Sequence, residues 1–244
     1  MKTYLNITIL LFCSFFFIHC KKNRCFKSAG PADFSLVSLS PFDTVEISGD
    51  NYNLYLKKDS SYYAEISGGK NLIPFVEFKI HNKKLTIDDR NQCRWLRSYK
   101  SKPEVTLHMP DLKHIIYRGA GDIITLDTIR SNFSLESWDG SGSIRLKIHT
   151  DSLFLFSHTG PIDIHVEGIA GYVYAYNNGN GFIYLQNLKS PRVFVNASGT
   201  GDTHIAPLQY TGYEIYSYGN IYCYTHPSIL YEVTKGKGSF ILVN

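Results

Sequence analysis

The sequence predicts an all-β protein built as a parallel β-helix, a β-solenoid of coils about 20 residues long preceded by a more irregular N-terminal β portion. Three observations carry that expectation. From residue 119 onward a short polar turn ending in glycine keeps returning: RGAGDI, DGSGSI, SHTGPI, NGNGFI, SGTGDT, SYGNI and GKGSF. Its aligned glycines, Gly121, Gly142, Gly160, Gly181, Gly201, Gly219 and Gly238, stand 21, 18, 21, 20, 18 and 19 residues apart. Between the turns, runs rich in Ile, Val, Tyr, Phe and Thr alternate apolar with polar residues, and no stretch sustains a 3.6-residue period.

Alternation fixes the directions of side chains, because successive strand residues point to opposite faces. Two and four residues after the aligned glycine stand Ile144 and Leu146, Ile162 and Ile164, Ile183 and Leu185, Ile221 and Cys223, Phe240 and Leu242. These are the expected core. Thr125 and Thr203 are polar exceptions on the inner side, and each buried hydroxyl needs a backbone partner. Before the glycine a second strand is expected, with Leu153, Leu155, Val173, Ala175, Val193 and Val195 inward. Two short strands joined by a glycine turn could form a hairpin. Coil-on-coil stacking fits better, because a 20-residue unit has too little apolar surface to bury alone and its neighbours offer the same face in the same register.

Residues 42–126 follow the pattern less well and read as an irregular portion that joins and caps the stack, with turns at Gly49 and Gly68-Gly69. Upstream, an apolar run from Ile7 to Ile18, interrupted by Thr8, Cys13 and Ser14, ends at His19-Cys20. A run this short reads as a secretory signal rather than a bilayer-spanning helix, which needs roughly 20 apolar residues. Cys20, followed by Lys21 and Lys22, looks like the acylated cysteine of a bacterial lipobox. The expected plan is a lipoprotein signal over 1–19, a tether over 20–40 and one solenoid head domain over 41–244.

Removing 1–19 leaves 24 basic and 21 acidic residues, a balance of +3 that argues against a nucleic-acid partner. The membrane, through the N-terminal lipid, is the expected partner. Lys21-Lys22-Asn23-Arg24 lacks an acidic run resembling a surface-export signal, so the outer membrane's periplasmic side is the expected location, with surface exposure left open. Cys25, Cys93 and Cys223 have no metal spacing, and a Cys25–Cys93 disulfide stands beside free thiols as an open alternative.

No catalytic residues, metal site or cofactor are expected. Asp122 and Asp202 follow their glycines at matching places, but several coils separate them, so turn hydrogen bonding accounts for them better than acid–base or calcium chemistry. His149, His158, His165 and His204 are scattered, while zinc needs three or four converging ligands; they read as solvent-exposed. The aromatics are the candidate ligand site. Trp138, Phe156, Tyr174, Tyr176, Tyr216 and Tyr218 fall near matching outward positions, joined by Phe154, Phe194, Tyr222 and Tyr224, and stacking would make them a surface stripe. Such a stripe suits a glycan or an envelope protein. The alternative is that the rings only support one another between coils.

The segments FDTVEISGDNYNLYL, YYAEISGGKNLIPFVEFKIHNKKLTID and EVTLHMPDLKHIIYRGAGDI, with the later GSGSI and SGTGD turns, resemble the head GIN domain, the auto-transporter adhesin domain of Bacteroidetes-type lipoproteins. The resemblance covers about residues 40–244 and implies a parallel β-helix; it brings no catalytic residues. A non-catalytic, adhesin-like envelope protein is therefore the leading functional expectation. A β-helical polysaccharide lyase or hydrolase, and a purely structural periplasmic scaffold, remain as alternatives.

Overall fold

The structure is a computed structural model and describes residues 27–49, 52–91 and 102–243. Apart from a three-residue 3-10 turn at Ile73–Phe75, every regular element among the described residues is a strand. In chain order they are β1 (Ala32–Ser38), β2 (Thr44–Gly49), β3 (Asn53–Lys58), β4 (Tyr63–Gly69), β5 (Val76–His81) and β6 (Lys84–Asp89). There follow β7 (Glu104–Met109), β8 (His114–Gly119), β9 (Ile123–Thr125), β10 (Phe133–Ser137), β11 (Gly142–Ser157) and β12 (Ile162–Asn177). The last are β13 (Ile183–Ala197), β14 (Thr203–Ile215), β15 (Ile221–Cys223), β16 (Ser228–Thr234) and β17 (Phe240–Leu242).

These strands stack as the expected parallel β-solenoid, with two broad faces enclosing one interior. The two short strands expected in each repeat are fused in β11–β14 into single strands of 13 to 16 residues. The first half of β11 pairs with β9 and its second half with β10, while the two halves of β14 pair with β15 and β16. One face is thus built by β1, β4, β7, β3 and β9, then the first halves of β11–β14, then β15 and β17. The other runs β5, β6, β2, β8 and β10, then the second halves, then β16.

The N-terminal portion caps the stack by an out-and-back path. Strands β2 and β3 lie between β6–β7 on one side and β8–β9 on the other, so the chain runs out to the end of the stack and returns. The end itself is closed by antiparallel pairs, β1–β4, β4–β7 and β5–β6. His108 of β7 helps fasten it: the ring is 1% exposed, stacks on Tyr63 at 4.0 Å, and sits 3.4 Å from Asp59 and 3.3 Å from Glu65. A hydrogen bond from the Ser61 backbone N–H, above all, holds the Asp59 carboxyl below its ordinary range.

The expected tether over 20–40 needs correction in its second half. Residues 32–38 form β1, which pairs with β4 along its whole length. The sequence hid this because β1 covers a free strand edge with its backbone: Phe34 and Leu36 are 55% and 61% exposed, so no buried alternation marks it. Cys20, Cys25 and Cys93, and with them the lipid site and the open disulfide question, lie outside the described residues, as does the signal over 1–19.

The core consists of the predicted inward residues except in the last coil, where Phe240 is only partly buried and Leu242 is half exposed, and glycine spacing mis-set the register of one coil. Backbone pairing aligns Ile123, Ile144, Ile164, Ile183, Thr203, Ile221 and Phe240. Two residues upstream this puts Ile162, not Gly160, in line with Gly121, Gly142, Gly181, Gly201, Gly219 and Gly238; Gly160 joins Gly140, Gly179 and Gly199. The partners of Ile144 and Leu146 are therefore Ile164 and Val166. Close coil approach explains the glycines. A Cβ on Gly201 would stand 1.8 Å from the carbonyl oxygen of Gly181, and one on Gly199 2.2 Å from that of Gly179.

Polar groups bond between coils rather than within their own turns. The carboxylate of Asp122 accepts from the N–H of Ser143 at 2.9 Å, Asp163 from Phe182 at 2.9 Å, and Asp202 from Asn220 at 2.7 Å. The Asn220 side chain passes the pattern on to Ser239 at 3.0 Å. The two threonines expected on the inner side also find partners: the Thr125 hydroxyl donates to the Arg145 carbonyl and accepts from the Lys147 N–H, and that of Thr203 accepts from the Asn177 amide. Asp202→Ala should lower stability by about 1–2 kcal/mol, because the Asn220 N–H loses a charged acceptor, whereas Asp202→Asn should retain most of it. Urea midpoints of the two variants check this; equal losses would contradict it.

Candidate functional site

Alternation makes every second residue of β10–β14 point outward, and a spacing of about 4.8 Å between coils brings outward rings into contact. Four of the six stripe residues meet in this way. Trp138 stacks on His158 at 3.7 Å and 13°, with the Arg118 guanidinium over its other side at 5.4 Å. His158 in turn lies 6.1 Å from Phe156 and 5.6 Å from Tyr176, and Phe156 lies 5.7 Å from Tyr174. The line continues through Phe194, 5.8 Å from Tyr174, to Tyr231.

Tyr216 and Tyr218 are apart from this line. Tyr216 falls in register with Trp138 and His158, but Asn178 and Ser198 occupy the coils between. Both tyrosines stand on the turn between β14 and β15, exposed, with the ammonium groups of Lys235 and Lys237 from the next turn over their rings at 5.7 and 5.2 Å. Tyr222 and Tyr224, expected to join the stripe, belong to the opposite face through β15.

That opposite face carries a second ladder. His165, Tyr184, His204 and Tyr222 stack one per coil with centroids 4.4, 4.9 and 4.9 Å apart and planes within 17°. His204 Nδ1 and the Tyr224 hydroxyl are also hydrogen-bonded at 2.9 Å. Three of the histidines expected in solvent, His158, His165 and His204, are thus half-buried members of ring stacks, whereas His149 is exposed as expected. Rings stacked so closely cover each other's faces and present edges outward: hydroxyls and imidazole nitrogens rather than flat apolar surface.

Burial, more than any charge, holds His158, His165 and His204 below the ordinary imidazole value of 6.5. For a base lowered on folding, the stabilisation is present above that value and is lost as pH falls from it toward the folded pKa. Thermal midpoints should therefore drop between pH 7.5 and pH 5, and His165→Gln with His204→Gln should flatten the drop. An unchanged pH slope in the double variant would contradict the assignment. Burial also raises Tyr174 and Tyr184, so both phenols remain neutral donors at physiological pH.

Exposed apolar side chains concentrate at one end. Nine of the fourteen large exposed hydrophobics lie between Leu208 and Leu242, among them Tyr218 at 61% and Leu230 at 68%. In the last described coil Leu242, in register with buried Cys223 and Ile205, is half exposed. Among the described residues no group of three His, Cys, Asp or Glu converges as metal ligands would, and no helix is long and apolar enough to cross a membrane.

A two-faced parallel β-solenoid with ring ladders outside and aliphatic ladders inside defines the class of this chain. Residues 41–227 match the family model described as "Putative auto-transporter adhesin, head GIN domain", and the chain belongs to that family. Solved structures share the fold. A "putative adhesin" from Bacteroides fragilis superposes with a TM-score of 0.77 at 18% identity, covering 87% of this chain and 97% of its own. A "putative adhesin" from Parabacteroides merdae gives 0.66 at 17%, covering 89% and 98%. A "Putative lipid binding protein" from Parabacteroides distasonis gives 0.62 at 17%, covering 88% and 98%. No curated protein matches the chain.

Proposed function

We propose that this protein is a non-catalytic, adhesin-like binder of the cell envelope, anchored by lipid at Cys20 and engaging a glycan or envelope protein through its distal end and ring-bearing face. The observation that carries the reading is the polarity of the stack. Residues 28–29 contact Asn71 at the capped end, where β1 also lies, whereas the exposed aromatic and aliphatic side chains gather on the last coils at the other end. Only six residues lie between Cys20 and Lys27, so the seven steps from one to the other reach about 25 Å at most. An acylated Cys20 therefore keeps the capped end near the membrane and turns the apolar end away from it, on whichever face of the outer membrane the protein sits. Apolar surface clustered to this degree marks interaction sites. The family and its structural neighbours carry adhesin and lipid-binding names rather than enzyme names.

Tyr216→Ala with Tyr218→Ala should weaken binding of the labelled protein to isolated envelopes or a glycan array tenfold or more and leave the circular dichroism unchanged. Tyr174→Ala with Tyr176→Ala, in a mutually packed part of the stripe, should have a smaller effect on binding. Unaltered binding by the Tyr216/Tyr218 variant would reject the distal end.

A further inference from the structure

The face opposite the stripe has a groove of about 280 Å³, and the fold explains its presence. Strand β9 leaves its ladder after Thr125, and the chain rejoins the wall only at the Ile129–Ile148 bridge, so the wall opens beside Lys147. One coil further on, a β-bulge sets Leu185 and Gln186 against Val166 alone. Such bulges re-aim side chains. Two outward columns line the groove, Arg145–His165–Tyr184 and Lys147–Glu167, with Gln186 beside them.

We propose that this groove binds an acidic saccharide, a sugar chain whose rings carry carboxylates. The assignment rests on the reading of the chain as a binder and adds a second site with its own ligand chemistry. Arg145 and Lys147 make no ion pair with any described residue, and the lining sets these two cations against a single carboxylate, that of Glu167 beside Lys147. Arg145 offers a planar fork that matches a carboxylate in two parallel hydrogen bonds, and Lys147 adds a point charge two residues along the same strand. The remaining lining suits hydroxyls. The rings of His165 and Tyr184 spend their faces on each other at 4.4 Å and turn polar edges to the groove. Glu167 accepts, and Gln186 brings a carboxamide whose oxygen has no hydrogen-bond partner in the protein. Burial keeps His165 neutral near pH 7, able both to donate and to accept. The groove crosses the coils at about 4.8 Å per step, so the ligand is a short run of sugar rings laid along the stack.

Calorimetric titration of the full chain with a tetramer of galacturonate, a neutral galactose tetramer and a sulfated oligosaccharide tests the assignment. The galacturonate tetramer should bind at least tenfold more tightly than the neutral one, and Arg145→Ala and Lys147→Ala should each lose tenfold or more. Arg145→Lys should recover only part of the loss, since it restores charge without the fork. Equal affinity for acidic and neutral tetramers, binding unmoved by Arg145→Ala, or tighter binding of the sulfated oligomer would each overturn it. The Tyr216/Tyr218 variant should bind the galacturonate tetramer normally, which separates this site from the distal end. Recovery of shortened oligomers would instead overturn the non-catalytic reading.

Discussion

Gly201→Val should destabilise the protein by about 3 kcal/mol or prevent folding altogether, one of the two largest effects of a single substitution anticipated here. The glycine columns pass directly over the carbonyls of the preceding coil, so a side chain at Gly201 would displace the Gly181 backbone rather than a flexible group. Coils locked by hydrogen bonds above and below cannot separate locally without breaking both ladders. Ser143→Ala, on an equivalent turn, removes a hydroxyl with no partner in the protein and should change stability by less than about 0.5 kcal/mol. Chemical denaturation of both variants reads the difference directly; a Gly201→Val protein as stable as the parent would mean that the coils are not packed this closely.

Ile164→Ala should cost about 2–5 kcal/mol, the range for a buried aliphatic truncated where surroundings cannot collapse. Ile164 is fully buried and stacked between Ile144 and Ile183 in neighbouring coils, so the cavity would be walled by backbone already committed to two ladders. Leu230→Ala, at an exposed position of β16, should alter stability by less than about 0.5 kcal/mol. The contrast between an inner and an outer leucine-sized residue is what a shared interior requires.

The solenoid was legible because its physics is one-dimensional. A glycine recurs where coils nearly touch, Ile162 being the exception in its column, and an aliphatic residue where strands face the interior, so the period shows in one sequence without comparison to others. Legibility failed where a rule had two solutions. The SHTGPI turn carries a single glycine, and spacing assigned it to the wrong column of the pair; the chain places Gly160 in the earlier column and fills the later one with Ile162. That slip of two residues preserved every inward and outward direction but paired Arg145 with Asp163 instead of His165. It thereby concealed the continuous column from His165 to Tyr222 and the histidine in the groove wall. The stripe was legible in part for a similar reason: outward direction can be read from alternation, but which outward rings touch depends on register, and Asn178 and Ser198 interrupt the line to Tyr216. The cap was least legible, since β1 pairs antiparallel with β4 to cover its edge and contributes backbone more than side chains.

The measurement that bears most directly on the stacked architecture is a cysteine cross-link between coils. Ser143 and Asp163 are paired outward residues of adjacent parallel strands, at about the 4.8 Å separation from which a disulfide closes without backbone movement. Ser143 and Pro161, which glycine spacing alone would pair, are offset by a further two residues and lie roughly 8 Å apart, too far to bridge. Mild oxidation should therefore link the Ser143→Cys/Asp163→Cys protein quantitatively, as read by mass spectrometry of the joined peptides, and leave Ser143→Cys/Pro161→Cys open. Linkage of the second pair and not the first would contradict the register on which the core, the ladders and the groove all depend.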